Sequence, residues 1–449
     1  MPDVVSLGDL CVAAIEAAEG GEAVEAFAQE SRSREAEARK GEIEGLSSAQ
    51  SRGVGIRLIS DGGRLGYAYA ADPTADEVRR AVAQARDNAA LASSDAFNVL
   101  PDPAPVPDMP DLYRSSQAEM PIDRLVALAL DLEQRTTSID PRVSKVEVCQ
   151  AGDSVSRVAL ASTAGVDAAY ERTDTWCVAV TLAEEGDDVQ TGYSYRIGRE
   201  LDELGWHEVA FEAVTRAARM LGAQKPPSAR VPVVMDPFAA SAFLGVLSSA
   251  LSAESVQKGR SLFADRLGDQ IGSEIVTIVD DGTLLEGPAA APFDDEGVAS
   301  GRTALIENGR LAAFLHNTYT ARRGDTTSTG NASRAGYRSS PGVGTSNFYL
   351  EAGPADPEEL LLRAEGGVLV QEVTGVHSGA NPISGTFSVG ATGLRIREGG
   401  LEEGLREMTI ASTIPEMLAG VTAVGNDLRF FSSVGTPSIL IGEMTVGGV

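Results

Sequence analysis

One nearly uncharged apolar stretch, residues 231–257 (VPVVMDPFAASAFLGVLSSALSAESVQ), constrains the fold more than any other part of the chain. It opens with VPVVM, a β-branched segment typical of a buried strand. Asp236 and Pro237 then predict a helix start, because Asp accepts hydrogen bonds from the first turn and Pro needs no partner there. Apolar residues follow with helical period, and small residues between them allow burial on nearly all sides. We expect a central helix over 237–256, too short and too polar to span a bilayer, in the core of the C-terminal half.

The charge balance limits the partners of this chain. Its 449 residues include 37 Lys and Arg against 65 Asp and Glu, a formal net charge of −28. A surface for nucleic acid or for an anionic membrane would have to form against this field, so we expect neither partner. The hydrophobic content of 43% is that of a folded globular chain, and the length predicts more than one domain.

The cysteines indicate a reducing compartment. Cys11, Cys149 and Cys177 lie far apart and show no CxxC spacing, so neither a disulfide framework nor a zinc ribbon is expected. Cys149 and Cys177 fall in predicted strands, where a buried and inert thiol is the favoured interpretation. The first residues, MPDVVSLGDL, lack the basic start and apolar run of a signal peptide, and we therefore expect a cytoplasmic protein.

The N-terminal half reads as helices on an antiparallel sheet. Residues 9–39 are rich in Ala and Glu, which favours solvated helix. In GVGIRLISDGGRLGYAYAA, alternating apolar residues flank the turn sequence 61–63 and predict a hairpin. The following TADEVRRAVAQARDNAALA predicts a helix capped by Thr74 or Asp76.

A proline-rich connector divides this half. Five prolines lie within residues 97–113, and we expect an extended connector or covering arm over 97–121. An amphipathic helix (PIDRLVALALDLEQRTTSI), an antiparallel meander and a last helix (ELGWHEVAFEAVTRAARMLGA) come next. KPPSAR near residue 225 marks a boundary, which predicts domains at 1–225 and 226–449.

The C-terminal half alternates apolar strands with glycine-rich turns, and Asn308-Gly309 is its sharpest hairpin signal. The predicted fold class is α+β: helices on an antiparallel sheet, then a glycine-rich, mainly antiparallel sheet or partial barrel around the central helix. The turn FDDEG, with Asp294, Asp295 and Glu296, could hold a hard cation, but an acidic turn facing solvent is the favoured interpretation.

Other catalytic patterns are weak. His207-Glu208 opens like a zinc-helix motif, but no second His follows on that helix. His316, in the apolar AAFLHNTY, is expected to be a structural histidine with its hydrogen bonds satisfied. The two Ser-Gly pairs of SGANPISG lack the setting of a serine hydrolase elbow, and the glycine-rich runs lack the Lys of a phosphate loop.

A glycine-rich segment, Ser378–Gly393, is the best candidate for contact with a peptide or a partner. Small residues let another backbone approach a strand edge, as in strand addition. The alternative is that these glycines serve only turns with positive φ. The candidate contact residues are His377, Ser378, Gly379, Asn381, Ser384, Gly385, Gly390 and Gly393.

An ordered set of short motifs runs through the chain. VVMDP, SEIVTIVDDGT, FDDEGVASGRTALIENGRL, TSTGN, SGANPISGTFSVGATGLRI, VGNDL and PSILIGEMTVGG together resemble the TldD/PmbA family, over essentially the whole chain. The resemblance implies a two-domain α+β protein that pairs with a relative to form a zinc metalloprotease acting on flexible peptides. In the family, TldD-type subunits hold the zinc through HExxxH on the central helix and a Cys near the C-terminus, whereas PmbA/TldE-type subunits do not.

This sequence matches the second type. Gly245, Val246 and Ala250 fall where the two His and the Glu of HExxxH would stand, and their side chains have no ligand atoms. No His lies between His207 and His316, and no Cys follows Cys177. No metal is therefore expected in this chain, and zinc is expected in a TldD-type partner that carries HExxxH.

Two hypotheses of different classes remain. In the first, the chain is the non-catalytic subunit of a heteromeric zinc metallopeptidase and helps to shape the cleft for unfolded or flexible peptides. In the second, it is a stand-alone peptide-binding or scaffolding protein, possibly homodimeric, without hydrolytic activity. Co-purification of a chain carrying HExxxH distinguishes them.

Overall fold

The computed structural model describes residues 5–448. Its N-terminal half contains, in order, α1 (Leu7–Glu16), β1 (Ala23–Arg39), β2 (Glu42–Ser60), β3 (Arg64–Ala71), α2 (Ala75–Leu91), α3 (Ser115–Ala118), α4 (Asp123–Ile139), β4 (Lys145–Ser162), β5 (Asp167–Glu185), β6 (Asp188–Gly198) and α5 (Trp206–Ala218). The six strands form one sheet in the order β3-β2-β1-β4-β5-β6, with every neighbouring pair antiparallel.

Helices cover one face of this sheet. The pair α1 and α2 packs on β1 and β2, and the pair α4 and α5 packs on β4 and β5, each through its own apolar cluster. The opposite face meets the C-terminal half through Phe27, Leu160, Phe293 and Tyr337, which form a further buried cluster. The N-terminal sheet therefore lies between its helices and the second half of the molecule.

The predicted helix over residues 9–39 is wrong beyond α1. Residues 23–39 form β1, a strand paired with β2 and β4 along most of its length. Ala36 and Ala38 are buried at alternate positions, so the alanines follow the period of a strand. The helix propensity of Ala and Glu is overridden here by pairing on both sides.

The hairpin and the helix after it are confirmed. The turn between β2 and β3 carries Gly62 and Gly63 at φ of +77° and +72°, a conformation that glycine adopts without steric cost. Thr74 caps α2 in a capping box with Glu77. The connector is also extended: between α2 and α3 the chain has only one short 3-10 turn, Pro110–Leu112, and its middle is exposed.

The C-terminal half contains β7 (Ala229–Met235), α6 (Pro237–Ala250), α7 (Ala253–Gln257), β8 (Ile278–Asp281), β9 (Arg302–Glu307), β10 (Arg310–Leu311), α8 (Thr318–Arg323), β11 (Ala332–Ser333), β12 (Gly342–Val343), β13 (Phe348–Leu350), α9 (Pro357–Arg363), β14 (Val368–Thr374), α10 (Val376–Gly379), β15 (Thr386–Arg397), β16 (Gly400–Thr413), α11 (Ile414–Gly420), β17 (Val421–Val424), β18 (Arg429–Phe431), β19 (Val434–Thr436) and β20 (Ile439–Gly447).

A partial five-stranded barrel organises this half. Its strands follow the order β16-β15-β14-β7-β20, and the C-terminal end of β20 pairs back onto β16. A second sheet has the order β10-β9-β8-β13-β19-β18. Helix α6 packs between the two sheets, and its Phe243 ring meets Phe387 of β15 edge to face, with ring centroids 5.8 Å apart. The α+β class with a partial barrel around a central helix is confirmed.

The central helix is shorter than predicted. Asp236 caps α6 by accepting from the Ala239 N–H at 2.8 Å, as expected, but α6 ends at Ala250 and a separate α7 follows. Ser252 is extended because the chain there forms a bridge with Leu315. Within residues 5–448, no helix is both long and apolar enough to cross a membrane.

Candidate functional site

The open face of α6 is the first candidate surface. Helix α6 buries Phe243, Leu244 and Leu247, but Ser249 is exposed and Gly245 and Val246 are only half-buried. A Cβ built on Gly245 would have no other group within 4 Å. The helix is therefore not buried on nearly all sides, and Gly245 faces open space.

These positions do not fit a zinc site. Gly245, Val246 and Ala250 offer no side-chain donor, and Ala250 is fully buried. Among residues 5–448, no three His, Cys, Asp or Glu side chains come together in a way that could hold a metal ion. Burial raises the pKa of the Cys149 and Cys177 thiols to about 12, as expected for inert cysteines.

His316 lies away from any ligand set. Its backbone is fixed by Thr329, whose hydroxyl accepts from the His316 N–H at 2.8 Å. The ring Nδ1 is buried and has no hydrogen-bond partner within the described chain, and burial lowers the pKa of this histidine. The prediction of a fully satisfied structural histidine is therefore wrong at Nδ1.

The structure gathers most of the predicted contact residues into one surface loop. His377 and Ser378 lie exposed on α10, and Asn381 and Ser384 are exposed in the loop 380–385, in which Gly385 is buried. The Asn381 side-chain carbonyl closes this loop by accepting from the Ile383 and Ser384 N–H groups at 2.8 and 3.1 Å. Contact of this loop with a peptide or partner stays a prediction.

Strand addition along the glycine-rich strand is ruled out by the pairing. On β15, Gly390 and Gly393 are both paired with β14 on one side and with β16 on the other, so the strand has no free edge at these two glycines. A Cβ on Gly379 would lie 2.0 Å from the Ser388 carbonyl oxygen, and one on Gly393 would lie 1.9 Å from the Leu369 oxygen. Gly385 has a φ of +78°. The chain's own packing and turns therefore account for these glycines.

A polar cleft between the two halves is the second candidate site. It encloses about 470 Å³ and lies between β5 and four C-terminal segments. Its lining comprises Tyr170, Arg172, Asp174, Trp176 and Ile197 from the sheet, with parts of 288–300, 330–334, 344–346 and 432–433. The runs FDDEG and TSTGN, far apart in the sequence, thus meet at one place together with residues 344–346.

The FDDEG turn does not face solvent as predicted. Asp294 is buried and accepts from the N–H groups of Glu296, Val298 and Ala332, each at 2.9 Å. Burial raises the pKa of Asp294 to about 8 in spite of these donors. The turn is an interior support of the cleft wall, and the carboxylates of Asp294 and Glu296 are hydrogen-bonded within the protein.

A buried ion cluster, made of Glu25, Arg57, Glu296 and Arg334, holds the turn to the N-terminal sheet. Arg57 binds both Glu25 and Glu296, and Arg334 binds Glu25 and stacks over the Phe27 ring. Burial opposes ionisation of Glu296, but the charge of Arg57 together with hydrogen bonds from Thr318 and Arg57 outweighs it and leaves the pKa of this carboxyl below its usual value. Sequence reasoning missed this cluster, although Glu25 and Arg57 interrupt apolar runs and face each other across β1 and β2.

The fold and the site define a two-part α+β protein whose halves meet at a polar cleft and whose central helix shows an open face. The chain belongs to the PmbA/TldD metallopeptidase family. Family models match residues 24–89 (PmbA/TldA metallopeptidase domain 1), 116–221 (the central domain) and 228–448 (the C-terminal domain). The first two matches share the single N-terminal sheet described above.

Relatives extend over nearly the whole chain. The metalloprotease PmbA of Escherichia coli O157:H7 is 29% identical over 412 residues, which are 91% of this chain and 89% of that one. A metalloprotease TldD homolog of Buchnera aphidicola subsp. Schizaphis graminum is 25% identical over 438 residues, 88% and 86% of the two chains. The crystal structure of TldE from Thermococcus kodakarensis superposes with a TM-score of 0.88 at 25% identity, over 98% of this chain and 99% of that one.

Proposed function

We propose that this chain is the non-catalytic, PmbA/TldE-type subunit of a cytoplasmic, heteromeric zinc metallopeptidase that degrades or processes flexible peptides. A TldD-type partner carrying HExxxH supplies the zinc, and this chain helps to form the substrate cleft. The observation that carries the proposal is the central helix. Gly245, Val246 and Ala250 stand at the motif positions, and none can ligate a metal.

The environment of α6 supports a role beside a partner or a substrate. The space next to Gly245 is open, and the half-buried Ser241, Ala242 and Val246 continue the same face of the helix. An apolar helix in a core cluster normally has neighbours on every apolar side. This face is therefore available to a second chain.

The zinc content of the isolated chain provides the first test. A hydrolytic zinc site takes three protein ligands and leaves a position for water. We expect the purified chain to hold much less than stoichiometric zinc and not to cleave unfolded peptides. The variant with Gly245→His, Val246→Glu and Ala250→His should still lack activity, because the third ligand is missing and position 250 is buried. Tightly held stoichiometric zinc in the unmodified chain contradicts the proposal.

The pairing itself is tested by co-expression with a TldD-type chain that carries HExxxH. We expect the two chains to co-purify, zinc to follow the partner, and cleavage of an unfolded peptide to require both. If this chain instead forms a homodimer that binds peptide, and no partner is retained, the stand-alone binding hypothesis replaces the proposal.

Bulk on the open face of α6 tests whether that face acts in the assembly. Gly245→Leu should leave the isolated chain folded, since nothing lies within 4 Å of the new Cβ, yet it should reduce assembly or cleavage by the pair. Ala83→Leu, at an exposed position of α2, is the matched control and should change neither. Equal activity of both variants means that α6 does not face the partner or the substrate.

A further inference from the structure

One face of β5 points into the interdomain cleft. Four residues at alternate positions of β5 line the cleft: Tyr170, Arg172, Asp174 and Trp176. Because side chains alternate between the two faces of a strand, all four lie on the same side. Cys177 and Ala179, on the other face, pack under the helices. The strand therefore carries a phenol, a guanidinium, a carboxylate and an indole into one enclosed space.

Two arginines line the cleft, and Arg172 is the one with both terminal nitrogens available to a ligand, whereas Arg334 gives Nη2 to Glu25 and keeps only a buried Nη1 without a partner in the described chain. Its Nε donates to Asp174 Oδ2 at 2.9 Å, and a quarter of its side-chain surface is accessible. Within residues 5–448, its two terminal nitrogens, Nη1 and Nη2, make no hydrogen bond. Arg199 next to it, by contrast, donates from both terminal nitrogens, to Asp174 Oδ1 and to the Gly287 carbonyl oxygen. Arg172 thus presents a free pair of donors.

The other polar groups of the cleft favour an anion. Asp174 is taken up by Arg172 and Arg199, and Asp295 Oδ2 accepts from the Arg334 N–H at 2.6 Å. The Tyr170 hydroxyl has no partner in the described chain, and burial raises its pKa to about 12, so it stays a proton donor. Arg172 and Tyr170 therefore offer donors to a ligand, and Asp295 Oδ1 offers an acceptor.

The shape of this donor set suits a carboxylate with an amide next to it. A guanidinium binds a carboxylate through two parallel hydrogen bonds. Asp295 Oδ1 can accept one N–H from the same ligand. Trp176, Ile197 and Phe293 add an apolar wall, with Trp176 and Ile197 directly opposite each other on β5 and β6. A terminal residue of a peptide offers all three: carboxylate, amide N–H and side chain.

We propose that the interdomain cleft binds the C-terminal carboxylate of a peptide, with Arg172 as its anchor and the last side chain against Trp176. The volume of about 470 Å³ is in the range of small-ligand sites. This site lies in the chain described here and needs no metal. It extends the proposed handling of peptides, but it can be tested on the full chain without any partner, so its failure and the failure of the pairing are separate results.

The fluorescence of Trp176 gives a direct readout. The chain has two tryptophans, and the other, Trp206, stacks on His207 at the start of α5, outside the cleft. In a Trp206→Phe background, the protein is titrated with an N-acetylated tripeptide that ends in a free Leu carboxylate. The same tripeptide as a C-terminal amide, an amide peptide with an internal Glu, and sodium phosphate form the comparison set.

We expect saturable binding of the free acid and at least about tenfold weaker binding of the C-terminal amide, since a charge-assisted pair is lost. Arg172→Gln should weaken binding of the free-acid tripeptide by about tenfold or more and leave binding of the C-terminal amide unchanged. Arg79→Gln, which removes the same charge from the exposed α2, should have no effect. Tyr170→Phe keeps the ring that packs on Phe293, and it should weaken binding of the free-acid tripeptide by a smaller factor.

Several outcomes overturn the proposal. They are equal binding of acid and amide, equal binding of the internal Glu peptide, tighter binding of phosphate than of the acid, or no saturable change with any ligand. Thermal melts accompany each variant. If Arg172→Gln does not fold, the acid-against-amide comparison and Tyr170→Phe still decide the matter.

Discussion

Arg57 on β2 donates through Nη1 to Glu296 Oε1 at 2.5 Å, and this pair joins the N-terminal sheet to a loop 239 residues further along the chain. The same guanidinium donates through Nη2 to Glu25 Oε2 at 2.5 Å. Both carboxylates are fully buried. Arg57 is therefore the arginine bound to Glu296, and it shares Glu25 with Arg334 at the junction that supports the cleft wall.

Removing Arg57 should destabilise the fold strongly. Arg57→Gln leaves the buried Glu296 without its cation and Glu25 with Arg334 alone, and we expect the free energy of unfolding to fall by about 3–5 kcal/mol. Urea unfolding measures it. Arg79→Gln breaks an exposed pair with Asp76 and should cost at most about 1 kcal/mol. Similar losses of unfolding free energy in the two variants would show that the buried interdomain pair stabilises the fold no more than an exposed pair does.

Asp280 should make stability fall as the pH rises. It lies almost fully buried, and burial raises its pKa from 3.8 to about 6, although Ser346 and Asn331 donate hydrogen bonds to it. The folded chain then holds this proton more tightly than the unfolded chain does. The stabilisation is complete below about pH 4 and is lost as the pH rises through about 6.

The comparison with Asp280→Asn isolates this effect from the other titrating groups. Between about pH 4.5 and about pH 7.5, the free energy of unfolding of the wild type should fall by about 2 kcal/mol relative to that of the variant. Denaturant unfolding of both proteins across this range provides the measurement. A difference that stays constant, or that moves the other way, means that Asp280 is ionised in the folded protein.

Local signals were predictable from the sequence, and pairing between distant segments was not. The turn at Gly62-Gly63, the cap at Thr74 and the helix start at Asp236 depend on neighbouring residues, and all three are confirmed. The family motifs also led to the right fold class. The strand β1 was missed because Ala and Glu favour a helix until two partner strands are present, and the central helix was extended too far because Leu315 pairs with Ser252 from a distance.

The candidate site shows the same division. The motif register predicts Gly245, Val246 and Ala250 as the HExxxH positions on α6, and this assignment stays a prediction. The cleft could not, because Arg172 on β5 and the loops around Asp295 and Asn331 come together only through docking of the two halves. The glycines of β15 could be predicted only as contacts of another backbone or as turn residues, since a sequence does not reveal which backbone approaches them.

Two glycines should respond in opposite directions to alanine. In Gly379→Ala the new Cβ meets the Ser388 carbonyl oxygen at 2.0 Å, so we expect a loss of about 1–3 kcal/mol from overpacking. Gly245→Ala adds a methyl group to a helix interior with open space beside it and should raise stability by about 0.5–1 kcal/mol. Thermal or urea unfolding compares them. A neutral Gly379→Ala would mean that α10 is not held against β15 and that the glycine serves another chain.

Limited proteolysis should cut the proline-rich connector first. Val106 and Asp108 are exposed, and residues 99–108 donate no backbone hydrogen bond within the described chain, whereas Pro101 and Leu112 are buried and anchor the two ends. A segment that is exposed and free of backbone bonding can enter a protease without unfolding the rest. With a protease that cuts after acidic residues, mass spectrometry should place the first cut after Asp108 or Asp111, and the variant with Asp108→Asn and Asp111→Asn should resist it. A first cut elsewhere would show that the connector is packed as an arm, and protection that appears only with the TldD-type partner would place it in the interface.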